Sequence, residues 1–372
     1  VLLIGAALFV RSFRNLATVN PGFELQGLSF AFVNFGDLKL PQERIRPMQR
    51  ELLERVRSIP GIKAASSATH VPFSGSSWTL STKLDDGSTA SAQFMWVSPD
   101  YFKTVGVPIR AGRDISDHDT QDSRKVVLIN ETYARMFFPN TNPIGRTVHS
   151  LAEPGYPDAV YEVIGVVGDT YYGNIRGDQR PIAYAPETQN PNVGPGLPVV
   201  LKSSTSDQEA LRAVREAITR TYPGAKVFPL SMQTLVHDVL IRERLLAWVC
   251  GFFGLLAIAL AVIGVYGVVS HLTERRRSEV GIRLALGANR RDVMWLFLRR
   301  VGLLLAVGSV AGTAVSLLLS RGIASLLFGI APQDTLTLVG SAAVLAGVGL
   351  AATLIPVMRA AAADPVSCLR CE

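Results

Sequence analysis

The sequence predicts an α-helical transmembrane bundle of four helices, the first of them truncated, joined to one large α+β extracytoplasmic domain of two subdomains. Three observations predict it. The chain of 372 residues is 48% hydrophobic and only 18% charged, with a mean hydropathy of +0.27, which is more apolar and less charged than a soluble domain. The apolar residues are concentrated near 245–270, 301–320 and 336–358, and each stretch is long enough to cross a hydrocarbon core of about 30 Å as a helix. Between Ala17 and Leu240, by contrast, 22 Lys and Arg balance 23 Asp and Glu. The net charge of +7 therefore lies around the hydrophobic stretches, where it reports membrane topology and argues against nucleic-acid binding.

The chain opens with ten apolar residues, Val1 to Val10, ended by Arg11. That is about half of a membrane crossing, and no basic segment precedes it as in a signal peptide. Residues 1–16 are thus expected to be the far end of a first transmembrane helix, in a fragment of a longer chain. The next 224 residues, 17–240, form the outer domain.

Within that domain, Ile45, Met48, Leu52, Val56 and Ile59 recur every three or four positions with charged residues between them, which is one buried face of a helix over 41–59. Strand-like runs flank it at 30–35 and 62–68. The pattern returns at the end of the domain, with a strand at 199–201, a helix opened by the capping box Ser206-Asp-Gln-Glu209, and a strand near Val227. Between the two units lies a β-rich insert with runs at 92–97, 126–129 and 161–167, so the first subdomain is split in sequence. Asn130 is placed to cap a helix over 131–138.

Residues 241–372 form the second membrane part. Its loop from His271 to Arg300 carries eight Arg, namely 275, 276, 277, 283, 290, 291, 299 and 300, against Glu274, Glu279 and Asp292. Positive charge in a short loop marks the cytoplasmic side, which puts 17–240 and the 321–335 loop on the opposite side. Glu279 to Leu286 reads as a short helix stopped at Gly287, followed by a second helix capped by Asn289. A surface helix with a sharp stop suits docking into a partner's groove, with Glu279 and Arg283 on one face and Val280 and Leu284 on the next; the plainer account is that the arginines only set topology. Gly308, Gly312, Ser316 and Ser320 form a small-residue stripe that would let another helix approach closely.

Enzyme motifs are missing. The sequence contains no Gly-x-x-x-x-Gly-Lys-Ser/Thr phosphate loop and no Gly-x-Ser-x-Gly elbow. The five histidines lack metal-ligand spacing, and Gly165-Val-Val-Gly168 reads as a turn. The outer domain has no cysteine. Cys250 lies in a hydrophobic stretch, and Cys368-Leu-Arg-Cys371 is a lone pair without a metal or redox context. No catalytic residue, metal or cofactor is expected.

The run Glu274-Arg-Arg-Arg-Ser-Glu279-Val-Gly281-Ile-Arg283-Leu-Ala-Leu-Gly287-Ala resembles the signature between the second and third membrane helices of FtsX-like and MacB-like ABC transporter permeases. Asn20-Pro-Gly-Phe23, Val97-Ser-Pro-Asp-Tyr-Phe102, Ala111-Gly-Arg113, Val127-Leu-Ile-Asn-Glu131, Asn142-Pro-Ile-Gly145, Val163-Ile-Gly-Val-Val-Gly-Asp169 and Asp364-Pro-Val-Ser-Cys-Leu-Arg370 resemble that family in the same order, over essentially the whole chain. Phe328-Gly-Ile-Ala-Pro-Gln-Asp334 resembles the duplicated acidobacterial-type (ADOP) permeases, whose long chain carries two such units.

The resemblance implies a MacB-type periplasmic core domain between the first and second helices, in a multi-pass protein of the bacterial inner membrane. It also implies a non-catalytic permease subunit that works with a cytoplasmic ABC ATPase and a second permease half or homodimer partner, among membrane lipid. Glu279, Val280, Gly281, Arg283, Leu284 and Gly287 are the implied ATPase-coupling residues. The function is either ATP-driven movement of the outer domain, in efflux or mechanotransmission, or FtsX-like activation of an envelope enzyme with nothing transported. Ser367 stands where the family often has Glu.

Overall fold

The computed structural model describes the backbone of residues 1–75, 77–83, 89–173, 175–177, 179–275, 290–323, 328–329 and 334–361. The chain divides into two compact units, Val19–Leu240, and Val1–Thr18 together with Ile241–Glu372.

The first unit contains two subdomains. One is a four-stranded antiparallel sheet in the order β11-β1-β10-β2, made by β1 (Leu28–Asn34), β2 (Ile62–Ser67), β10 (Gly196–Ser203) and β11 (Lys226–Ser231). Helices α2 (Gln42–Arg57) and α5 (Asp207–Thr221) cross between the strands, so two split β-α-β units interleave into one sheet. The periodic residues explain the packing. Leu52 and Val56 of α2 and Val214 and Ile218 of α5 bury against Ala31, Val33, Val199 and Leu201 of the sheet. The Ser206 capping box is formed, with its hydroxyl accepting from the Glu209 amide.

The second subdomain is inserted between β2 and β10. Its strands are β3 (Thr79–Lys83), β4 (Thr89–Val97), β5 (Ile109–Gly112), β6 (Val126–Asn130), β7 (Thr147–Ser150), β8 (Ala159–Val167) and β9 (Ile182–Pro186). They run in the order β5-β8-β6-β9-β4-β3-β7, and β7 pairs back onto β8. Six strands therefore close into a barrel, with β7 on the first half of β8 and β5 on the second half of the same edge. Closure removes the exposed edges an open sheet would carry. The interior is filled by aromatic rings: Phe94 lies 4.9 Å from Trp96 and 5.2 Å from Tyr161, centroid to centroid.

Two short helices complete the insert, α3 (Tyr101–Val105) and α4 (Glu131–Phe137). The face of β4, β6 and β9 opposite the interior is also buried, and the rings of α3 pack against it on β9, with Phe102 and Tyr184 at 5.0 Å edge to face. The Gly165-Val-Val-Gly168 segment is not a turn. Gly165 to Val167 lie inside β8, and a Cβ on Gly165 would sit 2.7 Å from the Arg113 carbonyl oxygen. Glycine is needed there because the chain after β5 passes directly over the strand.

The second unit contains α1 (Leu2–Ala17), most of α6 (Met232–Arg275), α7 (Arg290–Ile323) and α8 (Thr335–Ala361). Among the described residues three segments are long and apolar enough to cross a membrane: Met232–Arg275, Val301–Leu319 and Thr335–Met358. Helix α1 continues past Arg11 to Ala17, beyond the end of its apolar run. Val269, Val301 and Val357 form a shared core of α6, α7 and α8.

Candidate functional site

Three places bear on function: the node where the outer-domain motifs meet, the cleft between the subdomains, and the helix bundle with the segment that links α6 to α7.

The motif residues converge. Asn130 ends β6 and caps α4, its side-chain oxygen accepting from the amides of Tyr133 and Ile182, each at 2.9 Å, while its amide nitrogen donates to the Arg180 carbonyl at 2.9 Å. Asp169, just after β8, accepts from the Thr132 amide at 2.7 Å and from Arg135 at 2.8 Å. Gly22, at φ +88°, lets the chain pass so close to Asp169 that an added Cβ would lie 2.1 Å from its carbonyl oxygen, and the Tyr171 amide donates to the Pro21 carbonyl at 2.9 Å. Arg113 forms a two-pronged pair with Asp119, at 2.8 and 2.7 Å. Burial opposes ionisation of Asp119, but the hydrogen bonds from Arg113 and the Ser116 amide outweigh it and hold the carboxyl below its ordinary value. Tyr101, Tyr172 and Tyr184 are fully buried neighbours, and burial pushes each phenol up, so all three stay protonated. These hydrogen bonds fix the ends of β6 and β8 and the start of α4, so the node positions strands.

The cleft lies between the two subdomains, with a volume of about 780 Å³. One wall is the polar face of α2, to which the sequence pattern assigns no contact. Gln42 donates to the Val193 carbonyl at 2.9 Å, Gln49 to the carbonyls of Gly194 and Gly196 at 3.1 and 3.0 Å, and Arg46 between them to the carbonyls of Glu187, Thr188 and Asn190. Positions 42, 46 and 49 share one helix face, so α2 fastens the return segment 187–196 by its backbone. Such a contact leaves no sequence signature on the accepting side. Glu187 accepts from the Ser67 hydroxyl, yet burial outweighs that bond and raises its carboxyl above the ordinary value. Among the described residues no group of three or more His, Cys, Asp or Glu could hold a metal ion.

The bundle departs from a soluble fold in its surface. On α6 alone Trp248, Phe252, Leu255, Leu260 and Ile263 are exposed, an apolar surface that lipid or another helix must cover. Close helix approach inside the chain occurs at Gly254, where an added Cβ would meet that of Ala6 at 2.7 Å, and at Gly349, where it would meet Leu305 at 2.8 Å. Of the sequence stripe, an added Cβ at Gly308 meets open space, the nearest atom to one at Gly312 is the Val1 nitrogen at 3.9 Å, and Ser316 is buried. The Ser320 side chain lies outside the described residues, as do Glu279, Val280, Gly281, Arg283, Leu284, Gly287, Cys368 and Cys371. The described structure brackets residues 276–289 with the end of α6 at Arg275 and the start of α7 at Arg290.

Two family models match the chain in succession, the MacB-like periplasmic core domain over residues 5–220 and the FtsX-like permease C-terminal domain over residues 251–365. Among curated proteins, the chain is 24% identical over 298 residues to the macrolide export ATP-binding/permease protein MacB of Mannheimia succiniciproducens, covering 77% of this chain and 44% of that protein. It is 25% identical over 344 residues to the ABC transporter permease YvrN of Bacillus subtilis, covering 88% and 80%. The chain thus spans less than half the length of the MacB relatives it matches. Among solved structures, it is similar to the periplasmic region of MacB from Actinobacillus actinomycetemcomitans, with 18% identity, 60% of this chain and 97% of that chain covered, and a TM-score of 0.42. The first model alone covers more than half of the residues, and the second begins near the middle of α6; the chain belongs to the MacB-like and FtsX-like ABC transporter permease family.

Proposed function

We propose that this chain is the non-catalytic permease subunit of an ABC transporter in the bacterial inner membrane. A separate cytoplasmic ATPase drives it, a second permease half or a homodimer partner completes it, and its outer domain moves in efflux or mechanotransmission. The observation that carries the reading is the succession of the two family models along one chain without a phosphate loop in its sequence. The length of α6 supports it. Its 44 residues extend about 66 Å at 1.5 Å per residue, roughly twice a membrane crossing, and they include both the last residues of the outer unit and the apolar segment. The exposed apolar faces of α6 and α7 suit lipid and partner helices, for which the Gly308, Gly312, Ser316 and Ser320 stripe is one candidate seam.

In this reading the ATPase engages the 279–287 segment. The test is co-purification and stimulation of an ABC ATPase from the source cell's membranes, at equal membrane abundance of each variant. Glu279→Lys reverses a charge, and Gly287→Val places a β-branched residue at the helix stop; each is expected to lower ATPase binding at least tenfold while the outer domain stays folded. Full binding and stimulation by both variants would reduce the segment to a topology signal. A cell-wall enzyme captured by the outer domain, with no substrate moved, would favour the regulatory alternative.

A further inference from the structure

The described residues of the loop between α7 and α8 meet the end of α1 at three places, and the start of α8 meets it at a fourth, all within the membrane unit. Arg11 pairs with the Asp334 carboxylate and donates to the Thr337 hydroxyl at 3.3 Å. At the next residue of the helix the Phe328 amide donates to the buried Ser12 hydroxyl at 2.8 Å, and one turn beyond Arg11 the Asn15 side chain donates to the Gly329 carbonyl at 3.3 Å. Asp334 has a second task, since it precedes α8 and accepts from the Thr337 amide at 2.9 Å as its cap. Residues 11, 12 and 15 are brought to one side by helical spacing, so a charge and two polar groups that an apolar helix end would not otherwise need all face one loop.

We propose that Arg11 is a positioning residue that fastens a clasp: by holding Asp334, the cap of α8, it fixes Phe328 and Gly329 onto the end of α1. This deepens the permease reading, because α1 leads along the chain into the outer unit while α8 belongs to the bundle, but the clasp itself is testable without an ATPase. The pair is partly open to water, with side-chain exposures of 39% for Arg11 and 20% for Asp334, so its attraction is subject to salt screening.

A disulfide reports the clasp directly. A Cβ added to Gly329 would lie 3.9 Å from that of Asn15, inside the range a disulfide bridges. In full-length chain whose Cys250, Cys368 and Cys371 are replaced by Ser, Asn15→Cys with Gly329→Cys is oxidised in native membranes, and the linked peptides are followed by mass spectrometry. Efficient linkage is expected, with Arg14→Cys and Gly329→Cys as the mismatched control that links at least tenfold more slowly. Arg11→Gln should slow the matched linkage several-fold. Asp334→Asn, which keeps a capping side chain and loses only the charge, should slow it by the same factor, and the double variant should be no slower than either single one. Raising salt should slow the parent and leave both variants unchanged. Absence of matched linkage, additive effects of the two substitutions, or a rate indifferent to salt would each overturn the clasp. None of these outcomes depends on whether a partner ATPase exists.

Discussion

Asn130 shows how much of the outer domain one side chain can hold. It is fully buried, and its three hydrogen bonds tie the end of β6 to the first turn of α4 and to the chain entering β9. An Asn is suited to this because it offers an acceptor oxygen and a donor nitrogen in one plane, which no Asp or Ser does. Asn130→Ala removes a helix cap, worth about 0.5–2 kcal/mol, and strands two buried amides and a carbonyl, each costing about 1–3 kcal/mol when left without a partner. The combined loss is expected to be about 3 kcal/mol or more. Thermal unfolding of the outer domain, followed by near-ultraviolet circular dichroism of the full chain in detergent, should show a markedly lower midpoint. A midpoint within 1–2 °C of the parent, a shift worth only about 0.5 kcal/mol or less, would mean that water replaces those bonds and that the node is more open than its geometry implies.

At the level of elements, the sequence exposed those whose pattern is local. The helices at 42–57 and 207–221 follow from an apolar residue every three or four positions, and the capping box fixed where the second begins. Strands β3, β5, β7 and β9 were not legible. They are four or five residues long, and β5 has no buried residue at all, so period-two alternation has no room to appear. Barrel closure depends on the pairing of β7 with β8, a fact of register that no single run of residues carries. The membrane helices were legible by length and apolarity, whereas their contacts were not. The glycines that an added Cβ would push against a neighbouring helix within this chain include Gly254 and Gly349, outside the regular stripe on α7. In lipid, small residues matter through the approach they permit, and spacing alone does not say which helix comes near. Gly349→Leu should therefore force α8 away from Leu305 of α7. The expected result is a several-fold loss of folded, detergent-extractable protein, with Gly308→Leu in the same assay close to the parent when the chain is expressed alone. Equal loss from both would show that the stripe on α7 is already covered by a second copy.

The whole chain combines a nearly neutral outer unit with a bundle flanked by arginine, and that division of charge carries the orientation. For the whole molecule the property to establish is which side of the membrane each unit occupies. Short loops rich in arginine stay in the cytoplasm, and the 271–300 segment has eight of them, whereas Arg11 and Arg14 begin a long translocated domain to which the rule applies weakly. Arg11 is moreover paired with Asp334, so it does not stand as a lone positive charge at the outer end of α1. A single cysteine at Ser278, in a chain otherwise free of cysteine, should react with a membrane-impermeant maleimide only after the membrane is opened. A cysteine at Asp122, which is exposed on the outer domain, should react in intact spheroplasts at the same rate before and after lysis. The reverse pattern would invert the topology and, with it, every assignment of a cytoplasmic partner to the 279–287 segment. Reaction of both sites in intact spheroplasts would place that segment outside with the domain, and the arginines would then need a different explanation.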